Sequence, residues 1–405
     1  MIPRKIFILF ITIALFSCHQ NDRGNSGIIF IDANMKYPEL ELKLSDIADI
    51  SYIPLQSNDN IFGYLSANRA LFVYGDKIFI GDMTLSDPKL LVYDHTGTHL
   101  KTFGSYGRGP GEYISLRRFV VDTLTNEVTI YDFSQRKIIV YSIEGKFKRE
   151  KSIGEISREQ RQQFTAIDII NDTCLLLYNY SSFSILSEDL AFLKKGQELL
   201  TGKTLMILDK QTLSEVPFQS FEYAQPKDFN TSTLHCNLTT TKEGVYITSE
   251  RSDTIYFVNR NLEIIPKFRD VTDYGNQHIA RLFPAIETER YTFFSTELGI
   301  RQGLVKVDNP IEKKFFAYDK KLQKLFRLNN GLSGKYTSEE KDIALLNNLP
   351  AFDEFTLTLN HNYAYSLLIP EFLLKRYNNL PDELKAITKN LKEDDNPVVM
   401  LIKFK

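Results

Sequence analysis

Two segments, Leu90-Leu-Val-Tyr-Asp-His-Thr-Gly-Thr-His-Leu-Lys-Thr-Phe103 and Ile138-Ile-Val-Tyr-Ser-Ile-Glu-Gly-Lys-Phe-Lys-Arg-Glu150, are two versions of one unit. Each has a β-rich apolar run, a short turn that ends in Gly, and a second run, which together signal a hairpin. Between them lies Gly104-Ser-Tyr-Gly-Arg-Gly-Pro-Gly-Glu-Tyr113, too rich in Gly and Pro for a regular strand or helix. A unit met twice calls for a search for further copies before any fold is assigned.

The copies are there. Aligned on the polar residue that ends the apolar run, the unit recurs at Asp94, Ser142, Asp209, Asn259 and Asp319, with spacings of 48, 67, 50 and 60 residues. A further apolar run precedes each one: Lys77 to Asp82, Val128 to Asp132, Cys174 to Asn179, Val245 to Ser249 and Tyr291 to Ser295. Several short antiparallel strands per roughly 40–50 residues fit the blade of a β-propeller. The remaining chain holds most of a sixth unit: Phe355 to Leu359, Tyr363 to Ile369, and Pro397 to Phe404. That unit lacks an outer strand, and Asp49 to Leu55 is an early strand without a partner. Pairing the two ends closes the ring and removes open edges. Pro54, with no N–H, suits an outer strand. The expected fold is all-β: a six-bladed β-propeller of four-stranded antiparallel blades, with a few short helical insertions and closure by the terminal strands.

The chain start reads differently. Arg4 and Lys5 precede an apolar run of 11 residues, Ile6 to Phe16, too short to span a bilayer as a helix. Leu15-Phe-Ser-Cys18 resembles the cleavage box of bacterial lipoproteins. Residues 1–17 are expected as a signal peptide, Cys18 as the lipidated residue that anchors the chain to the membrane, 18–41 as a tether and 42–405 as the propeller. The side of the outer membrane stays open.

Composition fits one large extracytoplasmic β domain, with 43% hydrophobic residues and a formal net charge of −2. Nothing in this composition favours nucleic-acid binding, which would require a basic face. Cys174 and Cys236 fall in different units and are expected as core residues, not a disulfide. Helices are expected at Ser187 to Leu200, after the capping box Thr337-Ser-Glu-Glu340, and at Pro381 to Lys392, where Leu384, Ile387 and Leu391 form one apolar stripe.

Gly107-Arg-Gly-Pro-Gly-Glu-Tyr113, Leu44 to Leu55 and the ending Asp394-Asp-Asn-Pro-Val-Val399 resemble the six-bladed β-propeller lipoproteins of Bacteroidetes, distant relatives of NHL-repeat propellers. The resemblance implies the fold and a cell-envelope location. It implies no reaction, since propellers host binding modules, lyases and hydrolases alike.

Four residues are the candidates for ligand binding. Arg108 would donate to a carboxylate, sulfate or phosphate, and Glu112 would accept from a hydroxyl or cation. A structural role, with the glycines shaping the loop and Arg108 and Glu112 satisfied within it, stands beside that reading. Asp82 and Asp132 end equivalent strands in successive blades; they either share a rim that binds a cation or hydrogen-bond their own turns. No HExxH, HxH or GxSxG pattern occurs, so no catalytic residue, metal or cofactor is assigned. Arg117-Arg118 reads as a solvated basic pair. The chain has no Trp, which weakens a sugar platform, although 21 Tyr remain. The function expected is a lipid-anchored cell-envelope module that binds a glycan, a peptide or an outer-membrane protein. The alternative is a lyase or hydrolase with its site at the axial opening.

Overall fold

The apolar runs that end at Asp94, Ser142, Asp209, Asn259 and Asp319 are the third strands of five consecutive blades. The computed structural model describes residues 27–42, 44–57, 71–82, 88–116, 118–153, 164, 166–178, 199–203, 205–219, 222–226, 236–249, 253–273, 278–302, 306–307, 312–328, 358–360 and 363–405. Blade 1 runs Leu71–Tyr74, Lys77–Asp82, Lys89–Asp94 and His99–Phe103, from the axis outwards. Blade 2 is Arg118–Asp122, Glu127–Asp132, Lys137–Ser142 and Phe147–Ser152. Blade 3 is Ala166–Ile169, Cys174–Tyr178, Leu205–Asp209 and Glu215–Val216; blade 4 is Cys236–Thr241, Gly244–Ser249, Thr254–Asn259 and Ile264–Asp270. Blade 5 is His278–Glu287, Tyr291–Gln302, Glu312–Asp319 and Lys324–Leu328. Neighbouring strands within each blade are antiparallel, and the protein is a six-bladed β-propeller.

The sixth blade joins the two ends of the chain. Thr358–Asn360, Tyr363–Leu368 and Val398–Phe404 supply three strands, and Ala48–Pro54 supplies the outer one. The register runs from Ala48 opposite Phe404 to Pro54 opposite Val398. Pro54 therefore sits on an outer strand, as its missing N–H requires. Beyond the strand, the Leu55 amide donates to the Pro397 carbonyl at 3.2 Å and Asn396 Nδ2 donates to the Gln56 carbonyl at 2.9 Å.

The core consists of six wedges, one between each pair of successive blades. In blade 2, Val128, Ile130, Ile139 and Tyr141 face blade 1, whereas Tyr131, Ile138 and Val140 face blade 3. A strand buried on both faces needs apolar residues at every position, which is why the repeat reads as continuous runs and not as alternation. The carboxylate or amide that ends the third strand folds back on its own turn. Asp209 accepts from the Gln211 and Thr212 amides at 3.1 and 2.7 Å; Asn259 accepts from the Asn261 and Glu263 amides, both at 2.9 Å.

Three expectations need adjustment. Ile29–Ile31 pairs in parallel with the outer strand of blade 4, and Glu39–Leu40 pairs in parallel with that of blade 5. Ile31 and Ala33 are buried in the wedge between those blades. The stretch expected as tether up to residue 41 is thus a strap on the ring from Ile29 onwards. Its short runs are masked by Asp, Asn and Lys, so periodicity did not reveal them. Leu199 and Leu200 open a strand, Leu199–Lys203, paired with Glu222–Pro226, where the end of a helix was expected; residues 187–198 lie outside the described residues. The last helix spans Asp382–Thr388, with Pro381 at the N-cap, and it is preceded by an unforeseen helix at Pro370–Lys375. Leu373, Leu380 and Leu384 of this segment cover the wedge between blades 5 and 6. The capping box at 337–340 and residues 355–357 of the expected sixth-blade strand lie outside the described residues. Cys174 is buried and unpaired.

Candidate functional site

Gly104 to Leu116 carries the chain from the outer strand of blade 1 towards the inner strand of blade 2. Gly104 and Gly111 adopt φ of +61° and +69°, which glycine accepts without strain. Ser105–Tyr106 then runs parallel to Glu112–Tyr113, so the loop closes on itself. The inner side of the loop is held from several directions. Glu112 accepts from the Gly109 amide at 2.7 Å. Glu150 of blade 2 accepts from the Gly111 amide at 3.0 Å and pairs with Lys137 at 3.1 Å. Lys137 Nζ also donates to the Gly109 carbonyl at 3.2 Å, and Gln135 Nε2 donates to the Gly107 carbonyl at 3.1 Å. The Tyr141 hydroxyl donates to the Gly111 carbonyl at 2.5 Å, and burial pushes that phenol well above its ordinary range.

Asp132 is fully buried and anchors the far end of the loop. Its two oxygens accept from the Ile114 amide (2.7 Å), the Ser115 hydroxyl (2.7 Å), the Gln135 amide (2.9 Å) and Gln135 Nε2 (2.7 Å). Asp82 ends the equivalent strand of blade 1 and is also buried. Both carboxylates lie at the same end of the ring as the loop, as the alignment expected. Asp132 spends its lone pairs on its own connection. Glu112 and Arg108 do not meet: Glu112 turns inward, whereas Arg108 is exposed and has no partner among the described residues. Tyr106, two residues earlier, is 53% exposed.

Sequence reasoning missed a polar chain near the axis. Arg118 of blade 2 pairs with Asp168 of blade 3 at 3.5 Å, and the Thr240 hydroxyl of blade 4 donates to the same carboxylate. Arg118 is therefore not the solvated residue expected. The inner strands of three blades converge there, and no single-segment motif reports that. Among the described residues no three His, Cys, Asp or Glu side chains gather closely enough to hold a metal. No described helix is long and apolar enough to cross a membrane. Cys18 lies outside the described residues.

A family model described as a domain of unknown function, DUF4934, matches residues 26–403, from just before the strap to the closing strand. The chain belongs to the DUF4934 family. No curated protein matches it. Among solved structures, a protein of Bacteroides fragilis described as exported shares the fold of this DUF4934 propeller, with a TM-score of 0.58, 17% identity, and coverage of 93% of this chain and 99% of that one. A DUF4221 member from Bacteroides vulgatus aligns with a TM-score of 0.54 and 12% identity, covering 91% and 99%. At these identities the likeness concerns the fold alone.

Proposed function

We propose that this protein is a lipid-anchored cell-envelope module, with Cys18 as the acylated residue and the Gly104–Tyr113 loop as its recognition platform. The observation that carries the reading is the division of the loop into two sides. Every inward polar group named above has a partner within the blade, while Arg108 and Tyr106 project outwards. A rigid loop that presents one unpaired guanidinium and, two residues before it, an exposed aromatic ring suits an anionic ligand, since the ordering entropy has already been spent on folding. An acidic glycan fits this chemistry, and an acidic peptide or an outer-membrane protein would meet the same two residues. The exported relative in Bacteroides fragilis supports an envelope location, and the lipobox-like Leu15 to Cys18 supports the anchor.

A catalytic role at the axis is the second reading, as a lyase or hydrolase. The Arg118–Asp168–Thr240 chain is its only support, and those three groups answer one another.

Two measurements test the proposal. Cys18→Ala is expected to abolish labelling by a fatty-acid probe and to release the protein from membranes; unchanged labelling removes the anchor. A screen of acidic and neutral glycans and peptides should give ligands whose binding Arg108→Ala weakens at least about tenfold. Ligands that bind the variant as tightly as the parent would move the site elsewhere.

A further inference from the structure

The chain start wraps the outside of the ring before it enters blade 6. Ile29–Ile31 lies on the edge of blade 4, Glu39–Leu40 on the edge of blade 5, and Ala48–Pro54 completes blade 6. Ring closure needs only the last of these pairings. Without the first two, the chain would leave the ring at blade 6, beside blade 1. The strap moves the point of exit back by two blades.

The strap is held along its length. Ile31 and Ala33 are buried in the wedge between blades 4 and 5. The Ile31 carbonyl accepts from the Val271 amide at 2.8 Å, and the Ala33 amide donates to the Thr272 hydroxyl at 2.7 Å. From blade 5, Lys314 Nζ donates to the Ala33 carbonyl at 3.1 Å and the Arg327 amide donates to the Pro38 carbonyl at 2.9 Å. Tyr37 meets the Phe316 ring edge-on at 5.7 Å. Contacts with two blades thus fix the exit near Gly27, on the edge of blade 4.

The position of that exit matters because of what lies across the ring. The wedge between blades 4 and 5 is three steps from the wedge between blades 1 and 2, so in a ring of six the strap and the Gly104–Tyr113 loop are half a turn apart. Nine chain links join Cys18 to Gly27, and they span at most about 30 Å. A domain of this size is roughly 50 Å across. A lipid on Cys18 therefore cannot seat in a bilayer on which the far rim rests. The strap also offers apolar groups outwards. Phe30 lies between the two residues that face the wedge, so it turns to the other side of the strand and is only half-buried. Met35 and Val271 flank the next turn and are 43% and 50% exposed. Cations and carboxylates are mixed along this edge, with Arg269 answered by Asp253 at 2.9 Å. The attachment point, not charge, selects the side.

We propose that the edge of blades 4 and 5 is the surface this protein turns to its own membrane, with the strap as the mooring that holds it there. The partner is a phospholipid surface, and the Gly104–Tyr113 platform faces away from it. This inference rests on the anchor proposed at Cys18 and adds a direction to it. A ligand at Arg108 arrives from the aqueous side and is not a headgroup of the anchoring bilayer.

The chain has no Trp, so a single introduced Trp reports alone. Met35→Trp and Val271→Trp mark the moored side. Leu100→Trp, on the outer strand of blade 1, and Tyr106→Trp mark the far side; all four positions are exposed. Each full-length lipidated variant is reconstituted into vesicles of phosphatidylethanolamine and phosphatidylglycerol that carry a nitroxide-headgroup lipid. Flotation and fatty-acid labelling read the anchor, and loss of Trp fluorescence reads the side. Met35→Trp and Val271→Trp are expected to lose fluorescence to the nitroxide, while Leu100→Trp and Tyr106→Trp keep theirs. If labelled protein floats but the far-side residues are quenched as strongly, or none is quenched, the mooring is overturned and the anchor stands. If the protein neither labels nor floats, the anchor fails and takes the mooring with it.

Discussion

Gly97 sits directly against the carbonyl of Pro54, where a Cβ on residue 97 would lie 2.0 Å from the oxygen. The contact joins the turn of blade 1 to the outer strand of blade 6, and the Gln56 amide donates to the Gly97 carbonyl at 2.8 Å. Gly97 also has φ of +86°, so an L side chain meets strain as well as a clash with backbone. Gly97→Ala is expected to cost about 3 kcal/mol or more. Gly75→Ala is the control: its φ of +59° is strained, but nothing lies within 4 Å of the added Cβ. It should cost only about 1–2 kcal/mol. Urea unfolding of both variants decides the matter. Equal losses would mean that the seam gives way easily to the added methyl group.

Asp132 carries a prediction about the loop. Asp132→Ala leaves the part-buried Ile114 and Gln135 amides without their acceptor, at a cost of roughly 1–3 kcal/mol. Asp132→Asn keeps the shape but turns an NH₂ group towards at least one donor, so it should not restore the parent value. The Ile114 amide should exchange with solvent faster in both. A variant within 0.5 kcal/mol of the parent, with slow exchange at Ile114, would show that the glycines alone hold the loop.

Between blades 2 and 3, Lys210 and Asp122 form a buried pair with side chains 5% and 7% exposed. Removing one charge strands the other. Lys210→Met is expected to lose about 3–5 kcal/mol. Asp122→Asn in the same chain keeps the acceptor for the Leu124 amide at 3.0 Å and removes the stranded charge. The double variant should recover most of the loss. A double-mutant cycle in which the two losses simply add would show that the pair is not coupled.

The ring was legible because its strands are local and repeat. Polar residues such as Asp94 and Asp209 end each third strand, and their spacing gives blade number without any knowledge of contacts. Closure was legible too, since Ile50 to Leu55 lacks a neighbour in its own unit and the last unit lacks a strand. What stayed hidden is pairing between distant segments. Ile29–Ile31 is three residues long and takes its strand form from the edge of blade 4, over 230 positions away. Arg118 looked solvated beside Arg117, yet Asp168 draws it to the axis from the next blade. At Gly104–Tyr113 the composition announced an irregular loop, while the division into a satisfied inner side and an open outer side depends on Gln135, Lys137, Tyr141 and Glu150 of blade 2.

The turn carboxylates predict an acid limb of unfolding. Hydrogen bonds from the Thr96 hydroxyl and the Thr98 amide hold Asp94 below the usual carboxylate range. The Thr212 amide and hydroxyl do the same for Asp209. For Glu127, burial pushes upwards but the Arg149 guanidinium and the Lys148 ammonium outweigh it, so the net direction is down. A carboxyl whose folded pKa lies below its unfolded value stabilises the fold above the unfolded value of about 4, and that contribution is lost as pH falls through the folded one. The urea midpoint should therefore be flat in the neutral range and fall below about pH 4.5. Asn259 shows how to isolate the turn contribution, because in blade 4 an amide that does not titrate accepts from the amides two and four residues on, as Asp94 does, while Asp209 accepts from those two and three residues on. Asp94→Asn/Asp209→Asn should accordingly fold with a neutral-pH midpoint close to the parent's and lose stability less steeply below pH 4.5. An acid limb as steep as the parent's would place the responsible protons elsewhere, with Glu127 and its Arg149 partner the next pair to test.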